Sequence, residues 1–159
     1  MTEEKYSIRD SLQSQHNNLK VQSLKRFTAK EYELFSALQI ITRGAPIHAF
    51  MYAKYPRLAT RGMVEKFDVG AANGWQAILH PFSSVQGGLQ ITFVPEVQLP
   101  WNAVKFRIAN LDAFRYAIWK IAVRSIPSAL NYKLVGSNCV TWTVTASVIA
   151  KALESTSRL

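Results

Sequence analysis

The chain holds only one cysteine, Cys139, in 159 residues. A single thiol excludes any intrachain disulfide. Without a second cysteine, and with His16, His48 and His80 dispersed, no zinc-ligand spacing is present. Acidic residues are also scarce, ten Asp and Glu against nineteen Lys and Arg, for a net charge of +9. That surplus favours anionic partners. The basic residues, among them Lys20, Arg57, Lys105, Arg115 and Arg124, form no dense run. The charge therefore acts as a weak steering field, which argues against nucleic acid as the partner. No stretch approaches the roughly 18 apolar residues needed to span a bilayer. The polar, acidic opening Met1-Thr2-Glu3-Glu4 has no signal-peptide core behind it. The expectation is synthesis in the cytoplasm, with any export carried by a dedicated machine. Phosphate-loop, dinucleotide and Gly-x-Ser-x-Gly signatures are all missing, so no cofactor is expected.

What is present suits one globular domain. The chain is 48% hydrophobic and 18% charged, long enough for a core without staples. Residues 1–27 read as a peripheral helix or arm, with Ile8, Leu12 and Leu19 giving a thin apolar stripe; residues 28–154 form the core. Thr28 with Glu31 resembles a capping box, and Tyr32, Phe35, Leu38 and Ile41 follow at helical spacing. This predicts a helix from about Ala29 to Ile41, ended by Gly44 and Pro46.

A β region follows. Ile47 to Lys54 and Met63 to Val69 read as an antiparallel pair joined by a loop between Pro56 and Gly62. Turns are expected at 70–74 and around Ser83-Ser84 and Gly87-Gly88, with strands at Leu89–Val94 and Ala103–Ile108. Asn110 is placed as the cap of a helix that buries Phe114, Ile118 and Ile121, closed by Pro127. From Cys139 to Ala146, β-branched residues alternate as in a strand, yet Val140, Val144, Val148 and Ala152 recur every four residues as in a helix. Pattern alone leaves both open. The fold class is α+β, an antiparallel sheet from residues 47–108 with helices around it. Trp75, Trp101, Trp119 and Trp142 are expected as core and pocket walls.

Cys139 is either an inert buried thiol or a nucleophile. His48 lies inside an apolar run, where an imidazole needs a hydrogen-bonding partner; its competitor, His80, precedes Pro81 in a turn-like stretch. A histidine opening a strand (Gly44-Ala45-Pro46-Ile47-His48-Ala49-Phe50), then hairpins, then a capped helix, then Asn131-Tyr132-Lys133-Leu134 before Ser137-Asn138-Cys139, resembles the circularly permuted papain-like thiol hydrolases. These include cell-wall amidases and the lecithin–retinol acyltransferase group. The resemblance covers roughly residues 44 to 153 and implies that the Asn-Cys pair opens a helix packed on the sheet, its Val140/Val144/Val148 line inward. It implies an amidase or peptidase, or an acyltransferase, with Cys139 as nucleophile and His48 as base. An orienting residue then belongs on the 63–69 strand. A hairpin centred near Leu58 sets Asp68 opposite His48, where a carboxylate would fix the imidazole. A register slip of one would put Phe67 there, and Glu65 is the alternative.

Two function classes follow. One is a thiol amidase or peptidase acting through an acyl-enzyme. A small, basic, signal-less member would suit a secreted bacterial effector that cleaves anionic peptidoglycan and is countered by an inhibitor or immunity protein. The other is a basic, non-enzymatic binding module for nucleic acid or an anionic surface, with Cys139 in the core.

Overall fold

The computed structural model describes residues 2–40, 47–134, 136 and 138–157. The chain is α+β, with one six-stranded antiparallel sheet and helices packed on it. Helix α1 (Thr2–Thr28) is peripheral, and its Ile8, Leu12 and Leu19 are exposed. The strands are β1 (Tyr32–Ile40), β2 (Ile47–Lys54), β3 (Met63–Ala71), β4 (Val85–Pro95), β5 (Ala103–Leu111) and β6 (Asn131–Tyr132), in the order β5-β1-β2-β3-β4-β6. Short helices α2 (Pro56–Ala59) and α3 (Gly74–Leu79) interrupt the loops, and α4 (Ala113–Val123), α5 (Pro127–Leu130) and α6 (Cys139–Thr156) complete the chain. Among the described residues no helix is long and apolar enough to cross a membrane.

Residues 32–40 are a strand and not the expected helix, and Thr28 ends α1 instead of capping a new element. The strand is covered on both faces. Leu34 packs in the core under the helices, while Phe35 and Ala37 pack in a second cluster with Phe50, Tyr52, Val64 and Leu99. A strand buried on both sides has no apolar/polar alternation, so chance spacing of three imitates a helix. A register shift between Leu34 and Phe35 blurs the pattern further. The expected stop at Gly44 and Pro46 lies outside the described residues.

Further differences have local causes. The turn expected at 70–74 begins later, because β3 runs to Ala71 and Asn73 caps α3 through Trp75 and Gln76 N–H groups. Gly87 and Gly88 lie within β4 and not in a loop. Asn110 belongs to β5, and Asp112 caps α4 by accepting from the Arg115 N–H at 2.8 Å. The buried line of α4 is Tyr116, Trp119 and Val123, while Phe114, Ile118 and Ile121 face outward. The element at 139–156 is a helix, but it buries Trp142, Ala146 and Ala150 and leaves Val144 and Val148 exposed. In both helices apolar residues occupy more than one face, and the large aromatics decide which face turns in. Trp119 and Trp142 are fully buried, whereas Trp75 and Trp101 are exposed. The Trp119 indole donates to the Ala146 carbonyl (2.9 Å) and the Trp142 indole to the Val123 carbonyl (3.0 Å). These reciprocal bonds satisfy both buried N–H groups and fix α6 against α4.

Candidate functional site

Strands β2 and β3 pair only at Met51–Phe67, Tyr52–Lys66 and Ala53–Glu65. Beyond Met51, β2 stays paired with β1 through Ile47, and beyond Phe67, β3 stays paired with β4 through Ala71. The sheet is therefore parted between its two central strands, and His48 and Asp68 face each other across the gap. His48 Nε2 lies 2.9 Å from Asp68 Oδ1. The hairpin register is centred on Ala59 and not Leu58, so Asp68 is a diagonal neighbour of His48 instead of its direct opposite. An offset of two keeps the residue on the same face, and a diagonal pair is still within reach of such side chains.

The first turn of α6 meets this gap. Asn138 caps the helix: its Oδ1 accepts from Val140 N–H (2.9 Å) and Thr141 N–H (3.3 Å), and Thr141 Oγ1 accepts from the Asn138 N–H (2.9 Å). The Asn138 amide also donates to the Leu134 carbonyl at 2.9 Å, tying the cap to the preceding turn. These bonds place Cys139 at the first helical position, where the axial dipole favours an anion. The thiol is 7% exposed and in hydrogen-bonding contact with the His48 imidazole and the Ala49 backbone. Since Nε2 of His48 serves Asp68, Nδ1 is the nitrogen left for sulfur.

The electrostatics follow the contacts. His48 is pushed up to about 9, first by the Asp68 hydrogen bond and next by that to Cys139, with burial opposing. Burial is the largest single influence on Cys139 and pushes the thiol up. The His48 hydrogen bond, the Ala49 N–H, the imidazolium charge and its own N–H together outweigh burial and hold the thiol below its ordinary value. Asp68 is likewise pushed up by burial and drawn further down by His48 and Lys66, whose Nζ lies 3.1 Å from Oδ2. The His48 ring also stacks on Phe50, with centroids 5.9 Å apart.

The three residues expected at a site are thus brought together, and the other candidates are not. His80 is exposed at the end of α3, and His16 is exposed on α1. Glu65 points to the opposite face, buried, where it accepts from Tyr55 and Tyr116 hydroxyls and pairs with Lys120 Nζ at 2.8 Å. One neighbour was not anticipated. Burial, followed by the nearby Cys139 sulfur, raises the Tyr132 phenol, whose oxygen accepts from the Cys139 backbone N–H. Its position just before the Asn-Cys pair was the available signal.

A groove of about 550 Å³ opens beside His48 and Asp68, continuing along Val69 to Ala72 of the β3 end and Gly88 to Gln90 of β4. Cys139 does not line it, so His48 is the group shared by thiol and groove. Among the described residues no cluster of His, Cys, Asp and Glu is disposed to hold a metal ion. Neither a family model, nor a curated protein, nor a solved structure matches this chain.

Proposed function

We propose that the protein is a cysteine-dependent hydrolase of amide bonds, a thiol amidase or peptidase of the permuted papain-like kind. One observation carries the proposal. A single imidazole hydrogen-bonds a carboxylate on one nitrogen and meets the chain's only thiol with the other, at the start of an 18-residue helix. The order of histidine before cysteine, the antiparallel sheet and the helix opened by the Asn-Cys pair support the family likeness. The basic-module alternative leaves this chain of contacts without a role.

In this mechanism Asp68 orients His48 and stabilises its charged form, and His48 in turn stabilises the Cys139 thiolate. The thiolate attacks the amide carbonyl carbon, and the displaced electron pair moves to oxygen. The Tyr132 hydroxyl, whose oxygen accepts from the Cys139 N–H, is the neighbouring group left with a proton to donate to that oxyanion. Collapse breaks the C–N bond while His48 gives its proton to the departing amine, leaving a thioester on Cys139. Neutral His48 then takes a proton from water as the oxygen attacks the thioester. The C–S bond breaks, the acid departs, and the thiolate–imidazolium pair is restored. An amine or hydroxyl acceptor in place of water makes the same site an acyltransferase.

The substrate proposed is a peptide, with peptidoglycan stem peptide as the anionic polymer suited to a chain of net charge +9. The test is digestion of purified peptidoglycan, with new amino and carboxyl termini read by mass spectrometry. Release of fragments by the wild type, and none by Cys139→Ala, is expected. Release that persists in Cys139→Ala would overturn the thiol mechanism.

A further inference from the structure

Two glycines face each other across β3 and β4 without a packing reason. Gly70 pairs with Gly88 inside a ladder that runs unbroken from Met63–Pro95 to Ala71–Gly87. A glycine within a strand weakens it relative to alanine, and such positions mark a bulge, a bend or a close approach. There is no bulge here, and neither glycine has a positive φ. Their neighbour Gly87 has a reason: a Cβ there would lie 2.8 Å from the Ser128 carbonyl oxygen, where α5 crosses the sheet. At Gly70 and Gly88 a Cβ would meet nothing within 4 Å. The space left by the missing side chains is open, and both residues line the groove that begins at His48 and Asp68.

We infer that the Gly70–Gly88 pair is a substrate ledge, seating the flat, uncharged, amide-bearing segment next to the bond attacked by Cys139. The inference rests on the thiol-hydrolase proposal and adds where its substrate lies. The chemistry of the lining selects the ligand class. Its charged members, His48 and Asp68, are engaged with each other and Asp68 also with Lys66, leaving no free charge for an ionic substituent. Gln90 pairs with Asp68 and so shares its face, offering a carboxamide that both donates and accepts. The main-chain groups of Gly70 and Gly88 serve the β3–β4 ladder, so the ledge offers contact area and not hydrogen bonds. A planar amide lying face down on bare backbone uses that area, and a side chain at either glycine would lift it off.

Two alkylating agents with the same warhead test this without depending on turnover: chloroacetone, and N-acetyl-alanyl-alanine chloromethyl ketone, which carries the amide segment. In each, the thiolate displaces chloride. Gly88→Val and Gly70→Val are expected to slow the dipeptidyl reagent by about tenfold or more, a steric loss in a fitted pocket. Chloroacetone should react at the wild-type rate in both. Gly88→Ala and Gly70→Ala should show smaller losses in the same direction, and both should unfold at or above the wild-type temperature, whereas Gly87→Ala should unfold earlier. Equal slowing of both reagents, or no slowing of the dipeptidyl one while chloroacetone labelling stays fast and His48-dependent, would overturn the ledge and leave the hydrolase proposal standing. Slow chloroacetone labelling that is indifferent to His48→Ala would instead remove the hydrolase proposal, and the ledge with it.

Discussion

Replacing Asp68 with Asn changes one charge and almost no volume, so it isolates what the carboxylate does for the imidazole. In the native protein His48 rises from 6.5 to about 9, and Asp68 is its first cause. At about 1.4 kcal/mol per tenfold change in proton affinity, the whole displacement is worth about 3 kcal/mol. Cys139 supplies part of it, and His48 and Asp68 are 29% and 25% exposed, so water screens the pair. Half, about 1.5 kcal/mol, is the share expected of Asp68, or roughly tenfold in the thiolate–imidazolium population. The assay is the pH dependence of Cys139 alkylation by iodoacetamide. In Asp68→Asn the rate at pH 7 should fall about tenfold and the midpoint of the profile should move to higher pH, with the two proteins converging in strong base. Unchanged profiles would refute the argument that Asp68 acts through His48.

Cys139→Ala and His48→Ala should each reduce turnover by about a thousandfold or more with circular dichroism intact, and the double variant should be no worse than either, because the pair acts as a unit. The imidazolium is favoured in the fold (6.5 unfolded, about 9 folded), so its contribution is complete below pH 6.5 and is lost as pH rises through about 9. Because the lowered Cys139 thiol releases its proton over the same range and offsets this loss, the decline should be read in Cys139→Ala: chemical denaturation from pH 6 to 10 should show falling stability there, with a shallower fall when Asp68→Asn is added. Glu65→Leu should lower stability by about 3 kcal/mol, since it strands Lys120 beside two unpaired tyrosine hydroxyls, while leaving alkylation of Cys139 unchanged. Asn138→Ala should cost about 1 kcal/mol by uncapping α6, read as a shift in denaturation midpoint.

The sequence discloses the meeting of His48 and Asp68 more fully than the sheet that carries them, and the reason is geometric. His48 and Asp68 sit on strands with clear period and a short connection, so hairpin symmetry alone brings them to one face. An error of one residue in the hairpin centre shifts the pairing by two and so preserves the face. The same logic fails for β1, whose Leu34 and Phe35 pack into different clusters on opposite sides of the sheet. It fails for α4 and α6, where the indole bonds of Trp119 and Trp142 to each other's helix choose the buried face. No property of a single helix encodes that exchange, because each donor needs the other helix's carbonyl in place. Glu65 and Tyr132 were illegible for a related reason. Glu65 looks like one more of the three charged residues of β3 until Tyr55, Tyr116 and Lys120 converge on it from a hairpin and a helix. Tyr132 acquires its partner only when α6 begins beside β6. A polar side chain can be placed on its own strand by periodicity, but its protonation and its role are set by residues from elements distant in the chain. The Asn138 cap draws only on partners within four residues, whereas the phenol beside Cys139 depends on β6 and α6 meeting in space.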